Sequence, residues 1–564
     1  MNRRNFLRSG LGAAGAALVS TPALGGGADA PDLVLRNATV YDGTGAPPVE
    51  ADVAVEGGRI AAVGRRLSGR GRRELELRGL ALAPGFIDIH SHTDLTLLVD
   101  PRAESKVRQG VTTEVVGQDG GSVGPWRDDE LAETKEGYRK RYGVDIDFRD
   151  LDGFFRRLER QGAAVHVASM IGAGTLRGFV VGEDNRPATE AEIRRMQALV
   201  VEALKVGARG VSSGLEYTPG AFADTAELIA LSTPMKGMEL PYASHMRNED
   251  DRLFAAVEEA LAVGRAAGVP VEISHLKAQG AGNWWKQAPV LDTIETARKS
   301  GLDAMFDVYP YVAYSTGLAN LFPTDVRDGG NAAFLARLRD PAMRERLESA
   351  AREKVAKLGS WDAVQVTSTS SDSLAWARGR RLGSLAQERR VDPYELLVQI
   401  IVGDSNRAGM VGFGMSEENV EALLRHPLAA ICSDAGARAV KGPLSEGSPH
   451  PRAYGTYPRV LGHYCRDRKT LPLEEAIKKM TSVPAARLKL ADRGRIAPGL
   501  LADLVAFDPD KVSDPATFER PHQYAVGIPY VIVAGEVVIR EGEHTNALPG
   551  RPVRAADAAH GAAR

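Results

Sequence analysis

Two histidines stand at the end of an apolar run near the start of the chain, in the segment APGFIDIHSHTD. His90 and His92 are separated by one residue, and side chains two apart on a strand point to the same side, so both can face one site. Imidazole nitrogens are common zinc ligands. The pair therefore indicates either a metal site or polar residues that merely end a strand, and ligands elsewhere in the chain decide between the two.

Other residues that could bind a metal also follow short apolar segments. They are Asp119 after GVTTEVVGQ, Glu216 after ARGVSSGL, His245 after LPYAS, His275 after VPVEIS and Asp434 after LAAICS. Taken singly, Asp434 could cap a helix and Glu216 could be a surface acid. Taken together, so many buried polar groups in contact would be costly without a cation. A zinc-like ion removes that cost and leaves a position for water, so we predict that all seven residues are metal ligands.

Such ligands need a scaffold that brings strand ends together. Between residues 83 and 489, short apolar segments alternate about eight times with helical segments such as EAEIRRMQALVVEALKVG. This alternation is typical of a parallel (β/α)8 TIM-like barrel, in which the carboxyl ends of the strands meet at one mouth. The chain between strands seven and eight is too long for a simple connection, so we predict an inserted subdomain at about residues 322–410.

Both ends of the mature chain have a different pattern. Residues 31–82 and 490–554 contain β-branched runs broken by glycine, including DLVLRNATVYDG and YVIVAGEVVIREGE. Such runs are typical of hairpin strands. We predict that the two segments pair into one small β-sandwich domain beside the barrel.

The composition favours a folded protein that acts on a small ligand. The 564 residues are 43% hydrophobic, and 73 acidic residues nearly balance 71 basic ones. Because neither charge is in excess, we expect neither nucleic acid nor an anionic membrane as a partner. The two cysteines, Cys432 and Cys465, are too few for a disulfide framework or a thiolate zinc cluster.

Residues 1–30 are predicted to be an export signal. An Arg3-Arg4 pair precedes a small-residue apolar segment at residues 11–24 that is too short to span a bilayer. The paired arginines resemble the twin-arginine signal of bacterial proteins that are exported folded. We therefore expect a periplasmic or secreted protein, the twin-arginine export machinery as a partner, and no integral membrane segment after cleavage. A retained basic amphipathic start is the alternative.

Several motifs together resemble the amidohydrolase superfamily and, within it, the N-acyl-D-amino-acid deacylase (D-aminoacylase) family. They are PGFIDIHSHTD, GVTTEVVGQDG, GARGVSSGLEYTPGAFADTAEL, YASHMR, EISHLK, FDVYPYVAYST, SPHPRAYGTYPRVLG and DRGRIAPGLLADLVAFDP. The resemblance covers essentially the whole mature chain. It implies a (β/α) barrel with a flanking β-sandwich, and hydrolysis of N-acyl-D-amino acids to a carboxylate and a free D-amino acid.

The resemblance also implies how the metal ligands are divided. His245 and His275 would hold the tighter metal, and His90, His92 and Asp434 would form the neighbouring site. The cofactor is expected to be one or two zinc ions, with other divalent metals as alternatives.

The sequence leaves open which carboxylate completes the first site. In the family a cysteine within a GNCG turn has this role, whereas this chain has GQDG and so places Asp119 there. Glu216 lies where many superfamily members have a carboxylated lysine that bridges two metals. Either Asp119 or Glu216 could therefore bridge, with the other residue as a further ligand or an outer partner.

The chemistry expected from this site is metal-assisted hydrolysis of an amide. A bound metal lowers the pKa of water towards about 7 and polarises the acyl carbonyl. Asp434 would take the proton from the water and later deliver it to the leaving amine. Residues near the mouth would hold the substrate carboxylate by charge-assisted hydrogen bonds, and the candidates are Arg247, Lys277, Tyr311 and Arg452.

Two other interpretations stay open. A barrel with the same metal could hydrolyse a cyclic amide, as a hydantoinase does, or a dipeptide. A barrel that has lost catalysis could act as a binding protein, but such a barrel has no physical need for so many metal ligands.

Overall fold

The described part of the chain, residues 30–555 of a computed structural model, is built around a barrel of parallel strands. The eight strands are Phe86–Asp88, Val111–Val116, His166–Ser169, Val211–Gly214, Tyr242–His245, Val271–Ile273, Ala304–Val308 and Ala429–Ile431. The third strand resumes at Ile171–Gly172, where it pairs with the fourth. A bridge between Ser91 and Ala435 joins the first strand to the eighth and closes the ring. The predicted TIM-like barrel is confirmed.

Helices connect the barrel strands and cover the outside of the barrel. They are Thr96–Val99, Glu104–Val107, Asp128–Tyr142, Leu151–Gln161, Ala173–Val180, Glu190–Val206, Thr225–Ser232, Leu253–Ala267, Gln287–Lys299, Glu417–Arg425, Arg452–Arg459, Leu473–Met480 and Ser482–Arg487. Side-chain caps define where several begin. Thr189 and Asp224, for example, accept hydrogen bonds from the backbone of Glu192 and Glu227. Each cap satisfies an amide that the helix itself leaves unpaired.

The two ends of the described chain share one sheet. Its nine strands are Leu33–Val40, Val49–Glu56, Arg59–Gly64, Glu74–Glu76, Ala81–Pro84, Leu504–Phe507, Tyr530–Val533, Glu536–Arg540 and Glu543–His544. Ala81–Pro84 pairs antiparallel with Leu504–Phe507, so hydrogen bonds run unbroken from the N-terminal strands to the C-terminal ones. The predicted pairing of both ends into one small β-domain is confirmed, and among the described residues its strands form one continuous sheet.

The connection from the seventh to the eighth barrel strand carries a small subdomain. Antiparallel strands at Ala313–Gly317, Val364–Ser368 and Gly409–Phe413 are joined by helices at Gly330–Arg339, Arg344–Leu358, Leu382–Arg389 and Pro393–Gly403. Since two of these strands lie partly or wholly outside residues 322–410, the insertion extends beyond the predicted limits. Thr316 and Ser368 on these strands line the same cavity as the residues at the barrel mouth.

The predicted export signal, residues 1–30, lies outside the described residues except for Ala30. Export therefore stays a prediction. Within residues 30–555, no helix is both long and apolar enough to cross a membrane.

Candidate metal centre

Four histidines and two aspartates meet at the mouth of the barrel. Their positions follow from the strands that precede them: His90 and His92 come after the first strand, Asp119 after the second, His245 ends the fifth, His275 comes after the sixth and Asp434 after the eighth. All are buried except His92, whose side chain is 35% exposed, and Asp119, which is nearly buried. Parallel strands bring these carboxyl ends together, although the residues are far apart in the chain.

The Asp119 carboxylate lies at the centre of this cluster. Its Oδ1 is 3.3 Å from Nε2 of His90 and 3.4 Å from Nε2 of His275. Its Oδ2 is 3.4 Å from Nε2 of His92 and 3.8 Å from Nδ1 of His245. Ligand atoms about 2.0–2.2 Å from a tetrahedral ion lie about 3.4 Å from one another. The separations are therefore those of atoms that could share one or two metal ions.

Asp434 closes the cluster from the eighth strand. Its Oδ1 is 3.0 Å from Nε2 of His92, and its Oδ2 is 2.8 Å from Nη1 of Arg452. Burial by itself favours the protonated acid, but Arg452 and the nearby His275 hold the pKa of Asp434 below its ordinary value. At neutral pH Asp434 is thus a carboxylate, with one oxygen towards the cluster and the other beside a guanidinium.

Glu216 takes a smaller part in the cluster. Its Oε2 is 3.7 Å from Nε2 of His245, whereas the other ring nitrogen, Nδ1, faces Asp119 and lies 2.9 Å from Nε2 of His275. A metal-binding imidazole uses one nitrogen and gives the other to an outer partner. Of the two carboxylates left open by the sequence, Asp119 lies within 3.8 Å of a ring nitrogen of all four histidines, whereas Glu216 approaches only that of His245.

Several buried polar atoms of the cluster have no hydrogen-bond partner among the described residues. They are both ring nitrogens of His90, Oδ1 of Asp119 and Nε2 of His245. Leaving such atoms unpaired in the interior is costly, and a cation would satisfy those that face it. Imidazole and carboxylate ligands suit zinc and its first-row neighbours. The donor set therefore fits a divalent metal.

The electrostatics also favour positive charge at this point. Burial favours the neutral ring of His92, but hydrogen bonds with Asp119 and Asp434 more than offset it and raise the pKa to about 9. Burial and the nearby Lys277 favour the neutral ring of His275. The carboxylates of Asp119, Asp434 and Glu249 more than offset both effects and raise the pKa of His275 to about 9. Without metal, both rings are protonated at neutral pH. A metal ion would replace that charge and release the protons.

Backbone strain coincides with three of the candidate ligands. Asp119, His275 and Asp434 have φ of 52°, 36° and 48°, in the left-handed region that residues other than glycine seldom adopt. Each costs on the order of 1–3 kcal/mol. Local hydrogen bonds hold the strained turns: the Asp434 amide donates to the His90 carbonyl at 2.9 Å, and the His275 amide donates to Asp307 Oδ1 at 2.7 Å.

Two buried carboxylates that we did not predict support the histidines. Glu249 Oε1 lies 3.1 Å from Nδ1 of His275 and accepts a hydrogen bond from Lys277 Nζ at 2.5 Å. Asp307 Oδ2 lies 3.6 Å from Nδ1 of His90. Carboxylates in such positions would help to set which ring nitrogen faces a bound metal ion. The position of Asp307 near the end of the seventh strand was the available signal, whereas Glu249 lies in a loop.

A buried lysine ties together the strand ends around the candidate catalytic aspartate. Lys106 Nζ donates to Asp88 Oδ2 at 2.7 Å, to Ser433 Oγ at 2.7 Å and to the Ala435 carbonyl at 2.6 Å. Ser433 and Ala435 flank Asp434, so one ammonium group holds the side chain of the residue before it and the backbone of the residue after it. Lys106 is fully buried, and Asp88 supplies the opposite charge that such a position requires.

A cavity of about 390 Å³ opens beside the cluster and includes two of the predicted substrate-binding residues. Lys277 lies on one wall, paired with Glu249, and Arg452 lies on another, paired with Asp434. The Arg452 guanidinium also lies 4.6 Å from the ring centre of Tyr309, which lines the cavity. Both cations are therefore placed beside the site of the expected chemistry.

The structure does not bring the other two predicted substrate-binding residues, Arg247 and Tyr311, to this cavity. Arg247 forms an ion pair with Glu259 at 2.9 Å, on the helix that follows the fifth strand. The Tyr311 hydroxyl donates to Asp514 at 3.4 Å. Both side chains thus lie outside the lining of this cavity, because the chain turns after each strand and residues past the turn no longer alternate in a regular way. Tyr309, not Tyr311, faces the cavity.

Sequence comparison finds a protein family over most of the chain. The model of the Amidohydrolase family matches residues 73–539. A D-aminoacylase of Alcaligenes xylosoxydans xylosoxydans is 36% identical over 524 residues, which are 92% of this chain and 97% of that protein.

Solved structures give the same result. N-acyl-D-glutamate deacylase from Bordetella bronchiseptica, complexed with zinc and a phosphonate mimic of the tetrahedral intermediate, has a TM-score of 0.79 at 33% identity, covering 93% of this chain and 100% of that one. A D-aminoacylase described with a binuclear metal centre has a TM-score of 0.76 at 36% identity, covering 93% and 99%. Because a family model and near full-length relatives match most of its length, this chain belongs to the amidohydrolase family.

Proposed function

We propose that this chain hydrolyses the amide bond of N-acyl-D-amino acids and releases a carboxylate and a free D-amino acid. The observation that carries the proposal is the Asp119 carboxylate, which has a ring nitrogen of each of four histidines within 3.8 Å, with Asp434 beside them. The similarity to D-aminoacylase and to N-acyl-D-glutamate deacylase supports the substrate class. The D-configuration rests on these relatives alone.

The cofactor of the proposed reaction is zinc, or another divalent metal, as one or two ions. Six residues would hold it: His90, His92, Asp119, His245, His275 and Asp434. When bound, the metal supplies Lewis acidity for the acyl carbonyl and for water. Glu216 would bond the outer nitrogen of His245, and Glu249 would do the same for His275.

Asp434 is the acid–base group of this proposal. Since its pKa is held low, it is ready at neutral pH to accept the proton of the attacking water. It then delivers that proton to the nitrogen of the cleaved amide, which leaves as a free amine. Arg452, 2.8 Å from Asp434 Oδ2, and Lys277 are the cations that can orient the substrate α-carboxylate by charge-assisted hydrogen bonds.

The substrate class is tested with the purified protein, loaded with zinc, on N-acetyl-D-amino acids, their L-enantiomers, dipeptides and a hydantoin. We expect hydrolysis of the D-substrates, and L-enantiomers about a hundredfold slower, because they cannot place carboxylate and amide together. Chelation should remove activity and zinc should restore it. Activity on the hydantoin alone, or full activity in metal-free protein, would contradict the proposal.

We also propose that the protein is exported through the twin-arginine route. The Arg3-Arg4 pair and the apolar segment at residues 11–24 support this. Replacing both arginines with lysine should leave the protein in the cytoplasmic fraction, because the route reads the arginine pair itself. Arg8→Lys is the matched control. Equal export of the double variant and the control would argue against this route.

A further inference from the structure

The cavity beside the metal centre is lined by three lysine or arginine side chains among the described residues: Lys277, Arg438 and Arg452. Two of them have acidic partners, since Lys277 lies 2.5 Å from Glu249 and Arg452 lies 2.8 Å from Asp434. Within residues 30–555, no acidic side chain forms an ion pair with Arg438. Arg438 is thus the cation of this cavity whose charge is not already matched.

The backbone that carries Arg438 is held in place. Its amide donates to Oγ of Ser105 at 2.8 Å, and its carbonyl accepts from the amide of Ser105 at 3.0 Å. The next carbonyl, that of Ala439, accepts from the hydroxyl of Tyr454 at 2.9 Å. Because the backbone of this loop is already ordered, little backbone entropy would be lost when the guanidinium binds a ligand.

The charge near Arg438 is positive overall. Glu446 also lines the cavity and lies near Arg438. Its Oε2 is 2.6 Å from Nη2 of Arg141, so its negative charge is already matched by that ion pair. Burial lowers the pKa of Arg438 and is the largest influence on it. A desolvated guanidinium without a partner is costly, and a bound anion would relieve that cost.

Arg438 is partly buried and lies near the ion pair of Arg141 and Glu446. It is close enough to Arg141 and Glu446 to feel their charges, and their side chains are 43% and 50% exposed. Arg452, in contrast, is buried against Asp434. The α-carboxylate of a substrate is attached to the carbon next to the cleaved nitrogen, so it must stay near Asp434. Arg438 is therefore suited to a more distant part of the substrate.

We propose that Arg438 binds a second carboxylate of the substrate, carried either by the side chain of the D-amino acid or by the acyl group. This inference rests on the proposed function and narrows it to N-acyl-D-amino acids with two carboxylates. A guanidinium holds a carboxylate through two parallel hydrogen bonds, which gives both affinity and orientation. Arg438 is a specificity-determining residue in this assignment, not a participant in the cleavage.

Two pairs of substrates test the proposal, each with a charged member and a neutral one of the same shape. N-acetyl-D-glutamate is compared with N-acetyl-D-glutamine, and N-succinyl-D-leucine with its terminal amide. In the wild type, kcat/KM for the charged member of one pair should exceed that of the neutral member by about ten- to a hundredfold. Arg438→Met should bring this ratio near one. The pair that responds identifies which end of the substrate carries the carboxylate.

Three further variants sharpen the test. Lys441→Met removes an exposed cation from the same loop outside the cavity and should leave both ratios unchanged. Arg438→Lys keeps the charge without the paired hydrogen bonds, so it should keep part of the preference, and it replaces Arg438→Met if that protein does not fold. Arg438→Glu should shift the preference towards N-acetyl-D-lysine.

Two negative outcomes are distinct. The inference is overturned if the wild type has the same kcat/KM for both members of each pair. It is also overturned if Arg438→Met lowers kcat/KM for both members of a pair by the same factor. In either case, hydrolysis of these substrates still supports a deacylase. If neither these nor other N-acyl-D-amino acids are hydrolysed, the proposed function itself fails and the inference falls with it.

Discussion

Replacing Asp434 with asparagine is expected to lower kcat for an N-acyl-D-amino acid by about 10²- to 10⁴-fold, the usual contribution of a general acid–base group. Asparagine has almost the same shape but cannot accept the proton of the attacking water. The variant also loses the negative charge that Arg452 and His92 now face. Metal content must therefore be measured with kcat, so that loss of chemistry is separated from loss of metal.

Asp514→Asn is the matched control for this variant. Asp514 is a largely buried carboxylate that pairs with Arg459 at 3.3 Å, away from the residues that line the cavity. Its replacement removes the same charge elsewhere in the protein and should leave kcat nearly unchanged. Full activity of metal-loaded Asp434→Asn would exclude the acid–base role proposed for Asp434.

Replacing Asp119 with alanine is expected to weaken metal binding by more than about a hundredfold, because loss of an outer partner alone costs about 10- to 100-fold. The two oxygens of Asp119 face the ring nitrogens of all four histidines, so its loss removes the anion that the candidate sites share. Competition with a chelator of known affinity measures the change. Activity at limiting zinc should fall in parallel.

Glu216→Gln is the matched comparison for the metal affinity of Asp119→Ala. It removes one carboxylate charge from the same barrel mouth, but Glu216 approaches the cluster only at Nε2 of His245, at 3.7 Å. We expect metal affinity to fall by about tenfold, as for a weakly held outer partner. The reverse order, with metal lost in Glu216→Gln and kept in Asp119→Ala, would make Glu216 the bridging ligand.

The histidines of the metal centre could be predicted because of where they stand in the chain. His90, His245 and His275 each end or closely follow a short apolar strand, and a parallel barrel brings all such ends to one mouth. This argument needs only strand order, so it survives errors in the boundaries of individual elements. It fails for Arg247 and Tyr311, whose side chains turn away from the cavity after the strands have ended.

Residues in loops could not be predicted from strand order. Glu249 supports His275, and Arg438 lines the cavity, but both lie in segments without a helical or strand period. Where a loop side chain points depends on hydrogen bonds to distant parts of the chain. The contact between Arg438 and Ser105 is an example, since it joins residues more than three hundred positions apart.

The sequence by itself determined the class of this protein: a metal-ligand set placed on a parallel barrel, within motifs that resemble the amidohydrolases. Strand periodicity and residue type carry that information locally, which is why one chain was enough to read it. Only the tertiary structure decided which carboxylate stands between the histidines and which cation of the cavity has no acidic partner among residues 30–555. Those are differences of a few ångströms among groups of the same chemical type, and such distances follow from the packing of the whole barrel.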